Sequence, residues 1–145
     1  LVFMHTPRFK PVKLASYPHL FPKDVPIWER FLDKFSADYV GFDYDIKVGS
    51  GIEPPENATQ ADLNLIAGVY KKRIDAVGYK NSETHIIEVK PSATFSAVGQ
   101  ILGYAALYRA EFPQQPAVKA ILLTDFETPD VRNFAEKNGV TLVIV

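Results

Sequence analysis

The segment RIDAVGYKNSETHIIEVK, residues 73–90, decides the fold of this chain. Two apolar stretches flank a polar centre, and this pattern predicts a β-hairpin. In the register that pairs residue 80 with residue 83, Asp75 lies directly opposite Glu88, with Cβ atoms about 5 Å apart. Because side chains alternate along a strand, Lys90 lies on the same face as Glu88.

Two opposed carboxylates do not stabilise a sheet. At this separation their repulsion is about 3 kcal/mol for an effective dielectric constant near 20. A bound cation, a shared proton or the ammonium group of Lys90 has to offset that repulsion. The pattern therefore indicates a metal site formed by Asp75 and Glu88.

The composition limits the class of protein. A chain of 145 residues with 47% hydrophobic and 23% charged residues is typical of one globular domain and not of a disordered protein. It contains no cysteine, which excludes disulfides, thiolate zinc sites and a cysteine nucleophile. No apolar run approaches the ~18 residues of a membrane span, and the N-terminus does not have the pattern of a signal peptide. We expect a cytoplasmic protein that does not contact membranes.

The charge distribution predicts two parts. Residues 1–23 carry four Lys or Arg, four prolines and no acid, so we expect an extended basic N-terminal arm. Residues 24–145 form a single domain, which begins with the acid-rich section 24–62. The arm either follows a phosphate backbone or binds to this acidic section, and the net charge of −1 does not by itself support binding to nucleic acid.

Hydrophobic periodicity and turn residues predict four helices and five strands. The last two strands each follow a helix, which predicts parallel pairing there, while the hairpin strands are antiparallel. The fold class is therefore α/β with a mixed sheet. The expected helices are 24–36, 61–70, 96–112 and 129–138, and the expected strands are 39–48, 73–79, 84–90, 118–126 and 140–145.

The pattern Asp75-x12-Glu88-x-Lys90, on the second and third strands after an opening helix, resembles the PD-(D/E)XK nuclease superfamily. The resemblance covers about residues 24–126, and Arg-Ile-Asp stands where the family writes Pro-Asp. It implies a restriction-endonuclease-like fold, a mixed β-sheet flanked by helices, with an αβββαβ core followed here by a C-terminal αβ unit.

Three further residues match the RecB-like and phage-type branch of that superfamily. Gln100 and Tyr104 lie four residues apart in GQILGY on the following helix, and Glu29 lies on the first helix. The resemblance implies that Gln100 holds a water or a phosphate oxygen with support from Tyr104. Glu29 would be an outer carboxylate that orients a metal-bound water.

The resemblance implies a nuclease that hydrolyses phosphodiester bonds in DNA. Mg²⁺, with Mn²⁺ as a substitute, would be bound by Asp75, Glu88 and the carbonyl of Val89, because Mg²⁺ prefers a few hard oxygen ligands and retains several waters. Lys90 would orient the attacking water or stabilise the charge on the phosphate.

The basic cluster of Lys71, Lys72 and Arg73 is a candidate contact for nucleic-acid phosphates, whereas a solvated face is the default explanation. A homodimer or larger assembly is left open. The main alternative to an enzyme is a non-catalytic nuclease-like module that binds nucleic acid or assembles within a phage or repair complex. A structural protein with an incidental acidic hairpin is a further alternative.

Overall fold

The protein is a five-stranded mixed sheet flanked by four helices. The computed structural model describes residues 5–70 and 72–145, without the side chains of 67–70. The strand order is β1-β2-β3-β4-β5, so every strand lies beside its neighbour in sequence. None of the helices in these two ranges is long and apolar enough to traverse a lipid bilayer. The elements are α1 (Val25–Phe35), β1 (Gly41–Val48), α2 (Gln60–Tyr70), β2 (Lys72–Tyr79), β3 (Thr84–Ser92), α3 (Phe95–Glu111), β4 (Val118–Phe126), α4 (Pro129–Lys137) and β5 (Val140–Ile144).

The predicted hairpin and its register are confirmed. β2 and β3 pair antiparallel from Tyr79 opposite Thr84 to Ala76 opposite Ile87. The β3–β4 and β4–β5 pairs are parallel and are connected through α3 and α4, as the strand–helix–strand order predicts. The mixed α/β fold predicted from the sequence is therefore correct.

Two apolar clusters lie on opposite faces of the sheet. The first cluster packs against α3 and α4, and the second packs against α1. The second is rich in aromatic residues, and the indole of Trp28 at its centre donates a hydrogen bond of 3.2 Å to the Tyr44 hydroxyl. The sheet is thus covered on both faces, which explains the apolar run at residues 120–123 of β4.

In the middle of the β1–β2 pairing, the side chains of both strands change from one side of the sheet to the other, at a point that we call the face switch. Tyr44 and Ala76 belong to the second cluster, whereas Ile46 and Ile74, two positions further along each strand, contact the first. The pairing passes from Tyr44–Ala76 to Ile46–Ile74 and leaves out residues 45 and 75, and Asp45 has a φ of +55°. Regular strands cannot do this, because residues two apart share a face.

The arm lies against the outer edge of β1. Phe9 forms a two-way backbone bridge with Phe42, with N–O distances of 3.0 and 2.9 Å. Gly41 makes this approach possible, because a Cβ atom there would lie 2.5 Å from the Phe9 carbonyl oxygen. Lys13 also forms a salt bridge of 2.9 Å with Asp33 on α1. These contacts favour the second of the two expectations for the arm, attachment to its own domain.

Candidate active site

The hairpin opens where its two acidic residues lie. Beyond Ala76–Ile87 no further β2–β3 pair follows in the described residues. The side chains complete the hydrogen bonding instead: the Asp75 amide donates to Oε1 of Glu88 over 3.1 Å, and the Val89 amide donates to Oδ2 of Asp75 over 2.9 Å. Each carboxylate therefore accepts a backbone N–H of the opposite strand. This exchange brings the two acids together at the face switch of β2.

The pair carries more negative charge than its surroundings neutralise. Burial, followed by the charge of Asp75, raises the pKa of Glu88 well above its usual range, although the Asp75 amide and Lys90 lower it. Burial also raises the pKa of Asp75 against the opposing effects of the Val89 amide and Lys90. A proton or a bound cation would offset the repulsion between the two carboxylates.

Lys90 lies within electrostatic reach of three carboxyl groups. Its charge lowers the pKa of Asp24, Asp75 and Glu88. Within residues 5–70 and 72–145, however, its ammonium group has no salt-bridge partner within 4 Å. A half-buried cation near three acids without direct pairing remains available for a phosphate oxygen or a water.

Helix α3 contributes the polar pair predicted from the sequence. The Thr94 side chain caps α3, accepting a hydrogen bond from the Ala97 amide over 3.0 Å, and so fixes the start of the helix just after β3. Further along, Nε2 of Gln100 donates to the Tyr104 hydroxyl over 2.7 Å. Burial raises the pKa of Tyr104, and the charges of Glu88 and Asp75 raise it further. Tyr104 therefore lies within electrostatic range of the two acids.

Asp24, directly before α1, is a candidate site residue although its position is that of a helix cap. Its side chain makes no capping hydrogen bond, it is only 4% exposed, and Oδ1 is buried without a hydrogen-bond partner in the part of the chain that the structure describes. Burial raises its pKa, which is lowered by the charges of Lys23 and Lys90 and by the Phe21 backbone. Its charge in turn raises the pKa of Asp75. The absence of a Glu or Gln three residues after Asp24 is the sequence feature that argues against a capping box.

The other candidates lie elsewhere or make other contacts. Glu29 accepts a hydrogen bond of 3.0 Å from the Tyr17 hydroxyl, and no contact with the acidic pair is seen among the described residues. Val89 contributes its amide, and a ligand role for its carbonyl stays a prediction. Lys72 is exposed, and Lys71 lies outside the described residues.

Arg73 is bound to the face switch itself. Its guanidinium group donates from Nε and from Nη2 to the two carboxylate oxygens of Asp45, over 2.7 and 2.6 Å. This bidentate pair holds the left-handed Asp45 in place beside Asp75. Arg73 therefore has a structural partner, and the predicted phosphate contact would have to compete with it.

The donors suit a hard, partly hydrated cation. No three His, Asp or Glu side chains within residues 5–70 and 72–145 converge to hold a metal by themselves. Mg²⁺ needs fewer, since it commonly binds one or two carboxylates and fills its other positions with water and phosphate oxygens. Asp75 and Glu88 meet that requirement, and the unpartnered Oδ1 of Asp24 is available to a metal-bound water.

Three solved structures are similar to the chain. A protein of unknown function, AF1548, aligns with a TM-score of 0.53 and 13% identity over 80% of this chain and 53% of its own. A repair endonuclease from Pyrococcus abyssi aligns with a TM-score of 0.51 and 15% identity over 90% of this chain and 49% of its own. EndoMS in a complex with double-stranded DNA aligns with a TM-score of 0.52 and 15% identity over 92% of this chain and 48% of its own.

The chain has an endonuclease-like fold. It spans about half the length of the solved chains that it matches. At these identities the likeness shows the fold alone. No protein-family model matches the sequence, and no curated protein matches it. Membership of the PD-(D/E)XK superfamily therefore stays a prediction from the motif.

Proposed function

We propose that this protein is a metal-dependent nuclease of the PD-(D/E)XK type that hydrolyses phosphodiester bonds in DNA. The observation that carries the proposal is the pair of carboxyl groups at the hairpin opening, with the ammonium group of Lys90 on the same strand. Two of the similar structures are endonucleases, and one is bound to double-stranded DNA, which supports the choice of substrate.

Asp75 and Glu88 would bind Mg²⁺ or Mn²⁺, which supplies charge relief at the phosphate and makes a bound water more acidic. The protein contributes rigid geometry, because each carboxylate is fixed by a backbone amide of the opposite strand. Lys90 adds a positive charge that orients the attacking water and stabilises the extra negative charge of the transition state. Its role is electrostatic, since three acids surround it.

The remaining polar groups position water and substrate. Gln100, held by Tyr104, keeps its carbonyl oxygen for a water. We assign the role of outer carboxylate to Asp24 and not to Glu29, because Asp24 has a buried, unpartnered oxygen and its charge acts on Asp75. Glu29 is already engaged with Tyr17.

The test is a cleavage panel with Mg²⁺, Mn²⁺ or EDTA on linear, circular, single-stranded and branched DNA, and on RNA. Wild type is compared with Glu88→Ala and Lys90→Ala, and with the exposed controls Glu56→Gln and Lys137→Ala. We expect divalent-dependent cleavage of DNA that the two site variants lose and the two controls retain. Circular dichroism confirms that each variant is folded.

A second readout is the midpoint of thermal unfolding. A ligand that binds only the folded state raises this midpoint, so Mg²⁺ should stabilise wild type and not Glu88→Ala. Wild type that binds DNA equally in Mg²⁺ and EDTA, without cleaving any substrate, would support the non-catalytic module instead.

A further inference from the structure

The end of the arm forms a fixed turn beside the candidate site. In this turn, residues 18–23 (PHLFPK), His19 has a left-handed φ of +63°. The Phe21 carbonyl accepts hydrogen bonds from the amides of Asp24 over 2.9 Å and Val25 over 3.3 Å. The turn is thus joined to the first residues of α1 and has little freedom to move independently of it.

Phe21 is exposed on this turn. Its side chain is 58% exposed, whereas Leu20 and Val25 on either side of it in sequence pack against the second cluster. Its aromatic neighbour is His19, with ring centroids 5.9 Å apart and an angle of 50° between the rings. The core therefore does not explain the position of this ring.

The turn also has the charge that a phosphate backbone requires. It contains His19 and Lys23 and no acid, within an arm that has no acid at all. The backbone hydrogen bonds from Asp24 and Val25 to the Phe21 carbonyl hold the turn against Asp24, which is itself buried. The turn therefore lies next to the acid that we assign to the site.

We propose that this turn binds an unpaired region of the nucleic acid, with Phe21 stacked on a base and His19 and Lys23 contacting the flanking phosphates. The proposal rests on the proposed function and narrows it to substrates that are single-stranded or contain unpaired bases. Bases inside a duplex are stacked on each other and present no free face to an aromatic ring, whereas unpaired bases do. Aromatic stacking tolerates any base, so no sequence preference follows.

The chain offers a matched control for the ring. Phe126 is 60% exposed, and its neighbours Asp125 and Glu127 form salt bridges with Arg30 and Arg132. Phe21→Ala and Phe126→Ala therefore remove equally exposed phenylalanines from a basic turn and from a strand end whose acids are paired with arginines. Phe21→Ala and Phe21→Leu together separate the loss of the ring from the loss of an apolar side chain.

The first experiment measures Kd in EDTA, where no cleavage occurs, for a labelled single strand, the same strand with abasic positions, and the duplex. We expect Phe21→Ala and Phe21→Leu to weaken binding of the single strand about 5- to 100-fold and to leave duplex binding unchanged. Removing the bases should weaken wild type and not these variants. Phe126→Ala should bind like wild type.

The second experiment uses Phe21→Trp, since the native Trp28 is fully buried and reports little on surface binding. This variant should bind the single strand with the affinity of wild type, unlike Phe21→Ala and Phe21→Leu. Its added indole fluorescence should be quenched by the single strand more than by the duplex. Wild type that binds neither form, or Phe21→Ala that binds the single strand like wild type, would overturn the proposal.

Repeating both measurements on Lys90→Ala separates this proposal from the nuclease activity. Binding that depends on Phe21, together with a wild type that never cleaves DNA, supports the turn as a contact and refutes the nuclease. Divalent-dependent cleavage of single strands with an unchanged KM in Phe21→Ala supports the nuclease and refutes the turn.

Discussion

Asp43 and Glu88 are buried to nearly the same degree, 3% and 2% exposed, but their hydrogen-bonding surroundings are very different. Asp43 accepts hydrogen bonds from the Tyr79 hydroxyl, the Arg8 amide and the His5 ring, at 2.9, 2.7 and 2.7 Å. Glu88 accepts one backbone amide and faces a second carboxyl group. The balance of donors therefore distinguishes a structural acid from a candidate catalytic one, and burial alone does not.

The two acids also do different work for the fold. Asp43 joins the N-terminal arm to β1 and β2, and each of its contacts favours the folded state. Glu88 lies where β2 and β3 separate, and it needs a proton or a cation to be accommodated. Asp43 should raise the free energy of unfolding, whereas Glu88 should lower it, a cost in stability that is common at functional sites.

The largest expected effect is on catalysis at the Glu88 side. Lys90→Ala should lower kcat about 10²- to 10³-fold, because it removes a positioned charge from the transition state. Its stability should change little, since Lys90 has no salt bridge in the described part of the chain. Steady-state cleavage with Mg²⁺ measures this, with Lys137→Ala as the control. Full activity in Lys90→Ala would contradict a catalytic role for the site around Glu88.

The next effect is on stability at the Asp43 side. Asp43→Ala should lower the free energy of unfolding by about 3 kcal/mol, because it leaves several donors without an acceptor. Urea denaturation at pH 7 measures the change, and replacement of the exposed Asp38 by Ala is the control. A loss below about 0.5 kcal/mol, within the range of ordinary surface substitutions, would contradict the structural role of Asp43.

Glu88→Gln should change the free energy of unfolding in the opposite direction and raise it. The folded-state pKa of Glu88 is raised, so the native protein binds more protons than the unfolded chain, and stability falls as pH rises from about 4.3 through the folded pKa. A neutral glutamine avoids this loss. The variant should be more stable than wild type by about 1–3 kcal/mol at pH 8, and the difference should shrink towards pH 4.

Denaturant unfolding in EDTA at pH 4, 6 and 8 tests this dependence. Glu56→Gln, which changes an exposed acid, should follow wild type at each pH. A wild type whose stability relative to Glu88→Gln increases with pH would show that Glu88 is stabilised as an anion, contrary to the comparison.

The smallest effect concerns the tyrosines beside the two acids. Tyr79 donates directly to Asp43, so Tyr79→Phe should cost about 1–2 kcal/mol. The Tyr104 hydroxyl accepts from Gln100 and does not hold an acid, so Tyr104→Phe should cost less than about 1 kcal/mol. Paired thermal and urea unfolding curves compare the two variants. Equal losses would remove the distinction between the surroundings.

Much of this arrangement could be predicted from the sequence. The element order follows from periodicity, and a short polar turn determines the hairpin register up to Ala76–Ile87, after which Asp75 and Glu88 are the next residues of the two strands. The hydrogen bond between Gln100 and Tyr104 also reflects local geometry, because residues four apart on a helix project together. Such features depend on short-range rules that apply before tertiary packing.

Other features depend on packing between distant segments. The face switch at Asp45 cannot be read from the sequence of β1, because it depends on the positive φ of one non-glycine residue. Asp24 has the sequence of a helix cap, and only the burial of its unpartnered oxygen separates it from one. Glu29 was selected by a family pattern, whereas its contact with Tyr17 depends on how the arm folds back.

The bare backbone of Gly41 has a consequence for how copies of this protein meet. A single methyl group at that position would push the Phe9 carbonyl away and uncover the outer edge of β1. Unpaired amide and carbonyl groups on an exposed edge pair readily with strands of other molecules. Gly41→Ala should therefore be recognised by concentration-dependent self-association in sedimentation experiments, with the chemistry of the hairpin opening otherwise intact.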